Sequence, residues 1–196
     1  MLKNLILFSL LLCFPIHAFE KKTGDFVIEG FEPPKDYWEV EGGSCGEACL
    51  FSIAEFFKLS VSQKKIKQLA NSPGRGIYSN EVLAVLKKLK IPHTNLTRKV
   101  DSQEKFIENI LIENLKKKQP IFLGVKIYPD ETPKWVCDHF ILLVGFNEST
   151  KELIYNSDNG RDRISIQKLL NKKNGYSLIH KSNSIFAISI TVIPEK

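Results

Sequence analysis

The sequence lacks the patterns by which several large classes of protein are recognised. Its 196 residues contain no phosphate-binding loop, no dinucleotide-binding glycine pattern, no internal repeat and no low-complexity tract. Cysteine occurs only four times, which is too few for a miniprotein held together by disulfides. With 43% hydrophobic and 26% charged residues, the composition is that of an ordinary globular protein of one domain, and no cofactor is predicted.

Arginine-rich stripes are also missing, although the formal net charge is +6. Most of the positive charge lies on scattered lysines, and pairs such as Lys64-Lys65 are not interleaved with aromatic residues. Proteins that bind single-stranded nucleic acid use such aromatics as stacking platforms. The lysines are therefore interpreted as solvated helix faces, and no nucleic-acid partner is predicted.

Long apolar runs are confined to the N-terminus. Lys3 precedes an apolar run over 5–16, and a small residue, Ala18, follows shortly after it. This order is typical of a secretory signal peptide, here over 1–18. A membrane span requires about 20 apolar residues, which disfavours an uncleaved membrane anchor. We therefore expect an exported protein (in a periplasm or outside the cell) with a single domain over 19–196 and no stable membrane span after cleavage.

Removal of the leader would leave an odd number of cysteines, Cys45, Cys49 and Cys137. In an oxidising compartment, at least one of them then remains a thiol. Cys49 lies one helical turn after Cys45, and Cys137 lies two positions before His139. A Cys49–Cys137 disulfide is one hypothesis, with Cys45 left as the thiol.

The distribution of apolar residues predicts helices first and antiparallel strands afterwards. Helical spacing and turn residues predict helices over 45–58, 62–70, 79–90 and 101–117. Apolar runs and alternation then predict strands over 120–125, 140–146, 152–155 and 185–192. An extended piece is expected near 26–28, before the first helix. Segregated helices and strands indicate an α+β domain, with the N-terminal helical part packed on a C-terminal antiparallel sheet.

Cys45 opens the first predicted helix. Ser44 at the N-cap and Glu47 three residues later fit the capping-box pattern. Unsatisfied N–H groups and the helix dipole favour negative charge at this end, so a cysteine there is favoured as a thiolate nucleophile. The alternative is a small buried residue, because cysteine is among the most buried residue types.

His139 opens a predicted strand, and the next strand ends in polar residues. The segment 156–160 offers two groups that could orient an imidazole, Asp158 and Asn156. Their alternative interpretation is a plain turn, and for His139 it is a hydrogen-bonded structural histidine. Cysteine, histidine and then an acid or amide are the components of a thiol hydrolase. Asp158 is preferred, with Asn156 as the alternative.

The motifs resemble those of a known family. Ser44-Cys45-Gly46-Glu47-Ala48-Cys49-Leu50 is similar to the nucleophile stretch of the papain-like cysteine peptidases that process bacteriocins with double-glycine leaders. Asp138-His139-Phe140-Ile141-Leu142-Leu143-Val144-Gly145-Phe146 is similar to their histidine strand. The resemblance covers about 36–172 and implies a papain-like fold in a stand-alone, exported form. It also implies a peptide or protein substrate, with Cys45 as nucleophile, His139 as base and an aspartate, assigned to Asp158, as its orienter.

One position departs from the family pattern. The family has a glutamine six residues before the nucleophile, where its amide helps to form the oxyanion hole, whereas this chain has Glu39. Loss of one oxyanion donor commonly costs about a hundred- to a thousandfold in rate. A catalytically degenerate, peptidase-like binding module is therefore the alternative to an active peptidase.

A structural zinc site is a further alternative to the peptidase. Its four ligands would be Cys45, Cys49, Cys137 and His139. Their spacing differs from the usual zinc knuckle, in which two residues separate the cysteines. We therefore predict no metal.

Overall fold

The computed structural model of the chain describes residues 19–33, 44–72, 74–127, 134, 136–157, 160–171, 176–178 and 182–192. The predicted leader over 1–18, Glu39 and Asp158 lie outside the described residues. Cys45, Cys49, Cys137, His139 and Asn156 lie within them.

Three helices form the first half of the fold, close to their predicted positions. They are α1 (Cys45–Phe56), α2 (Gln63–Ala70) and α3 (Ser79–Lys88). The predicted capping box is wrong, because Ser44 occupies the N-cap position of α1 without a side-chain cap bond and Glu47 is buried. The side of α1 that carries Ala48, Cys49 and Ile53 packs into the core.

The fourth predicted helix, over 101–117, is helical but not uniform. It consists of α4 (Gln103–Phe106), a π-helix (Ile107–Ile112) and α5 (Glu113–Lys116). Three buried residues at intervals of four, Ile107, Leu111 and Leu115, line its inner side. An interval of four slightly exceeds one α-helical turn, and the wider π turns in the middle keep these side chains on one face.

An antiparallel sheet forms the second half of the fold and confirms the α+β class. Its strands are β2 (His93–Asn95), β4 (Ile121–Val125), β5 (His139–Asn147), β6 (Glu152–Ser157), β7 (Gly160–Ser165) and β9 (Ala187–Ile190). They are arranged in the order β2-β9-β4-β5-β6-β7, and β1 (Asp25–Val27) adds to β5. A two-stranded sheet, β3 (Arg98–Lys99) with β8 (Ser184–Ile185), lies apart from it.

The strand predictions differ from the structure at two places. The third strand was expected over 152–155, but β6 continues to Ser157, and a further strand that was not predicted, β7, begins at Gly160. β7 contains Arg161, Asp162 and Arg163, so its composition does not resemble a buried strand; it forms the edge of the sheet. The predicted last strand over 185–192 is divided into β8 and β9.

The core lies between the helices and the sheet. β4 is buried at all five of its positions, and β5 is buried from Phe140 onwards. Helix α1 packs near the beginning of β5, and β4 and β6 pair with the two edges of β5. Among the described residues, no helix combines the length and apolar character that a membrane crossing requires.

Candidate active site

Cys45 is the first residue of α1 and lines a surface cavity of about 570 Å³. The other lining residues come from the segment before α3 and from the start of β5, and they include Ile77, Tyr78, Val136, Asp138 and Phe140. Cys45 is half-buried, so its thiol belongs to the wall of an open cavity and not to the closed core.

Gly46 lets the start of α1 approach both walls of this cavity. A Cβ atom at this position would lie 2.6 Å from Cγ1 of Ile77 and 3.0 Å from Cδ2 of Phe140. Real Cβ atoms essentially never show the first of these distances. Glycine is therefore required here by close packing beside Cys45.

His139 is the first residue of β5 and pairs with Val125 of β4. Asp138 and Phe140, the residues before and after His139, line the same cavity as Cys45. One turn into α1, Cys49 Sγ donates a hydrogen bond to the carbonyl oxygen of Phe140 at 3.7 Å. The structure thus brings the N-terminus of α1 next to the beginning of β5, and the pairing of the Cys45 and His139 side chains stays a prediction.

The side-chain amide of Asn156 is held by hydrogen bonds to Phe31 and Arg161. Its Nδ2 donates to Phe31 O at 2.7 Å, and its Oδ1 accepts from Arg161 Nε at 2.9 Å. Asn156 also pairs with Leu142, whereas His139 lies three residues earlier on the alternate face of β5. These contacts tie the chain near Phe31 to the strands, and they direct the amide away from the face that carries His139.

Cys137 is a second thiol on the cavity wall. Its Cβ and Sγ sit above Gly124 of β4, where a Cβ atom would come within 2.8 Å of both. Burial, with smaller contributions from Asp138 and Cys45, raises the pKa of Cys137 to about 12. The cysteines among the described residues are all thiols, so the hypothesised Cys49–Cys137 disulfide is wrong.

The four proposed zinc ligands do not assemble into a metal site. Within the described ranges, no group of three or more histidine, cysteine, aspartate or glutamate side chains is arranged to hold a metal ion. Cys49 faces the carbonyl oxygen of Phe140, whereas Cys137 lies over Gly124. The zinc interpretation is therefore not supported by the geometry.

Sequence reasoning missed a fixed polar rim on the cavity. Glu81 Oε2 accepts from the N–H of Tyr78 at 2.6 Å and from Nη1 of Arg75 at 2.9 Å. The guanidinium lies 4.0 Å from the centroid of the Tyr78 ring, and the hydrogen bond to Glu81 is the main cause that raises the pKa of Arg75. This contact also lowers the pKa of Glu81. A rigid aromatic ring, 48% exposed, therefore borders the cavity beside Cys45.

Three residues around His139 were also missed. Lys126 forms a buried ion pair with Asp138, with 3.3 Å between Nζ and Oδ2, and Tyr176 stacks on the imidazole. Lys126 follows Val125 and Asp138 precedes His139, so their opposite charges beside this pair could have indicated the ion pair from the sequence. Nothing in the sequence near Tyr176 indicates its contact, because it depends on how a distant segment folds back.

Comparisons with known proteins agree with the predicted fold. The profile of the peptidase C39 family matches residues 38–185. No curated protein matches the sequence. Among solved structures, the chain is similar to the peptidase domain of Streptococcus ComA, a bifunctional ABC transporter involved in a quorum-sensing pathway. The TM-score is 0.51 at 15% identity, over 83% of this chain and 99% of that domain. The papain-like α+β fold is thereby confirmed.

Proposed function

The chain belongs to the peptidase C39 family, and from that premise we propose that it cleaves peptide bonds with Cys45 as nucleophile and His139 as general base. One observation carries the proposal. Cys45 lines an open cavity together with the residues on either side of His139. The cavity walls contain the apolar side chains of Ile77, Val136 and Phe140, against which apolar side chains of a peptide can pack.

The position of Cys45 explains how its thiol would be activated. At the N-terminus of the 12-residue helix α1, backbone N–H groups without intrahelical partners and the helix dipole favour the thiolate. The same N–H groups would stabilise an oxyanion formed on a bound carbonyl. One helix end thus supports both the nucleophile and the charge that its attack creates.

The reaction would follow the acyl-enzyme route. His139 takes the proton of the Cys45 thiol, and Sγ attacks the carbonyl carbon of the scissile bond to give a tetrahedral oxyanion. Collapse breaks the carbon–nitrogen bond, and the amine leaves with the proton from His139. Water then attacks the thioester with His139 again as base, which releases the carboxylic acid and restores the thiol.

The two remaining site residues of the proposal, Asp158 and Glu39, are assigned from the sequence alone. Asp158 would hold the imidazole in the required tautomer, and the C39 pattern would place Glu39 beside the oxyanion. Because Glu39 stands where the family has glutamine, a peptide-binding module without turnover is the alternative function. The two functions differ in whether a bound peptide is cleaved.

Thiol labelling tests the nucleophile directly. In the folded protein at pH 6 to 8, iodoacetamide should modify Cys45 first, because Cys49 is 2% exposed and the pKa of Cys137 is raised to about 12. Mass spectrometry of the digested protein reports each site. Equal modification of Cys45, Cys49 and Cys137 in urea is the control for reagent access. Slow labelling of Cys45, at the rate of an ordinary thiol, would contradict the proposal.

Peptide cleavage tests the activity itself. In a screen of unstructured peptides, Cys45→Ala should lower turnover at least about a thousandfold, since the covalent route is lost. Glu55→Gln is the control, because it changes an exposed residue of the same helix that does not line the cavity and should retain turnover. A wild-type protein that binds a peptide as tightly as Cys45→Ala does, yet never cleaves it, would favour the binding module.

Export is part of the proposal. The basic and apolar pattern over 1–18 supports it. The N-terminal sequence of protein recovered from its natural cells should begin at Phe19 after cleavage behind Ala18. Recovery of the chain with Met1 still in place would contradict cleavage.

A further inference from the structure

The imidazole of His139 is covered by an aromatic ring from a distant part of the chain. The rings of Tyr176 and His139 are stacked, with centroids 4.9 Å apart and planes at 18°. Tyr176 also meets the ring of Tyr155 edge-on, at 5.6 Å and 71°. Since Tyr155 pairs with Leu143, it lies on the same face of the sheet as His139. Tyr176 is thus held by β6 while it covers His139.

The backbone around Tyr176 is fixed to three other elements. Ser177 and Lys126 exchange two backbone hydrogen bonds of 2.7 and 3.0 Å, directly after the end of β4. Leu178 donates to Leu169 O at 2.8 Å, and Leu178 O accepts from Gln103 Nε2 at 2.9 Å. Tyr176 therefore belongs to an anchored segment, and its ring has a defined place.

Lys126 connects this segment to the residue before His139. Its Nζ forms the ion pair with Asp138, and the two side chains are only 2% and 3% exposed. The other carboxylate oxygen of Asp138 accepts from the N–H of Ile127 at 2.6 Å. Through its backbone, Lys126 holds the Tyr176 segment; through its side chain, it holds the start of β5. The segment that carries Tyr176 and the strand start that carries His139 are therefore both attached to Lys126.

We propose that Tyr176 is a positioning residue for His139, anchored by Lys126. The proposal rests on the proposed function, in which His139 must accept a proton from Cys45. Face-on stacking restricts rotation of the imidazole through contact with its face, whereas its two ring nitrogens, of which Nε2 is buried, bond in the ring plane. A general base works only within hydrogen-bond reach of its proton, and a misplacement of about 1 Å can cost about a hundredfold in rate.

The experiment compares Tyr176→Phe, which keeps the ring, with Tyr176→Leu, which removes it. Turnover of the peptide substrate is measured as kcat and KM, and the His139 ring protons are followed by NMR, since a stacked ring shifts them upfield. Tyr176→Leu should lower kcat roughly 10- to 100-fold at nearly constant KM and lose the upfield shift. Tyr176→Phe should keep both values. Phe26→Leu, which disrupts the Phe26–Phe146 ring pair at the other end of β5, controls for a general loss of packing and should leave kcat unchanged.

Two results would overturn the proposal. Unchanged kcat in Tyr176→Leu would show that His139 needs no such support. An equal loss of kcat in Tyr176→Phe and Tyr176→Leu would assign the effect to the hydroxyl group instead of the stacked ring. Failure of the proposed function is distinguishable, because the wild-type protein would then show no Cys45-dependent cleavage while the His139 shifts still report the stacking.

The anchoring role of Lys126 has its own test. Lys126→Met alone would leave the Asp138 carboxylate buried without its counter-ion and is expected to compromise folding. The double variant Lys126→Met/Asp138→Asn removes both charges and keeps an acceptor for the N–H of Ile127. It should fold, show a weaker His139 upfield shift and have a kcat at least threefold lower. A folded double variant with wild-type shifts and kcat would exclude the Lys126–Asp138 ion pair as part of the anchor.

Discussion

Glu47, two residues after Cys45, is an acidic side chain that α1 carries into the interior. It is 1% exposed, and burial raises the pKa of its carboxyl group. Lys67 and the backbone N–H groups of Glu47 and Ile77 oppose this rise in pKa, whereas the Glu81 carboxylate adds to it. Glu47 is thus a buried acid two residues from Cys45, and Asp138, paired with Lys126, is a buried acid next to His139 in the chain.

This burial predicts how stability depends on pH. The folded carboxyl group of Glu47 keeps its proton where the unfolded one, with an ordinary pKa of 4.5, has lost it. The free energy of unfolding should therefore fall as the pH rises from about 4.5 through the raised folded value. Glu47→Gln removes this contribution, so it should gain stability relative to the wild-type protein as the pH rises through that range.

Urea unfolding at a series of pH values measures the effect. Glu55→Gln is the matched control, because Glu55 is an exposed glutamate of the same helix. The control should follow the wild-type pH dependence. A Glu47→Gln variant with the wild-type pH dependence would contradict a carboxyl group titrating at a raised pKa.

At the scale of elements, the site depends on how closely α1 approaches α3 and β5. Gly46 lies against Ile77, just before α3, and against Phe140 in β5. Gly46→Ala should destabilise the protein by about 1–3 kcal/mol, since the added methyl group forces these neighbours apart. Chemical denaturation measures this change, and labelling of Cys45 reports the displacement of its helix end.

A second substitution identifies the cause of that loss. Ile77→Ala removes the atoms nearest to the added methyl group, so the double variant Gly46→Ala/Ile77→Ala should be more stable than the sum of the two single effects predicts. Asn80→Ala, at an exposed position early in α3, is a control that should be nearly neutral. Strict additivity of Gly46→Ala and Ile77→Ala would show that the close approach is not the origin of the destabilisation.

At the scale of the whole molecule, the site exists only while the helical half and the sheet are docked. Cys49 lies at this junction, 2% exposed and hydrogen-bonded to β5. In the variant Cys45→Ala/Cys137→Ala, labelling of Cys49 should therefore require global unfolding. The urea midpoint of Cys49 labelling should coincide with the midpoint of circular dichroism loss.

The opposite result is equally measurable. Labelling of Cys49 at urea concentrations where the circular dichroism is still native would show that α1 separates from the sheet before the rest unfolds. A variant with Cys137 as its single cysteine is the control, because the half-buried Cys137 reports the cavity wall instead of the junction. Coincident transitions would establish the two halves as one cooperative unit.

Much of this arrangement follows from the sequence, because local patterns determine local structure. The apolar periodicity of 45–58 and the continuous apolar runs at 120–125 and 140–146 identify α1, β4 and β5. Their order in the chain predicts the α+β class, and the motifs around Cys45 and His139 identify the family. These features depend on neighbouring residues, which is why they can be read without coordinates.

Only the tertiary structure decided the rest, because it depends on residues far apart in the chain. The strand register turns Asn156 toward Phe31 and Arg161 instead of His139. The fold returns Tyr176 to the imidazole and buries Lys126 against Asp138. It also buries Glu47, for which the sequence pattern predicts a capping box. Such contacts are selected by packing and by the need to pair buried polar groups, and neither is encoded in any single stretch of sequence.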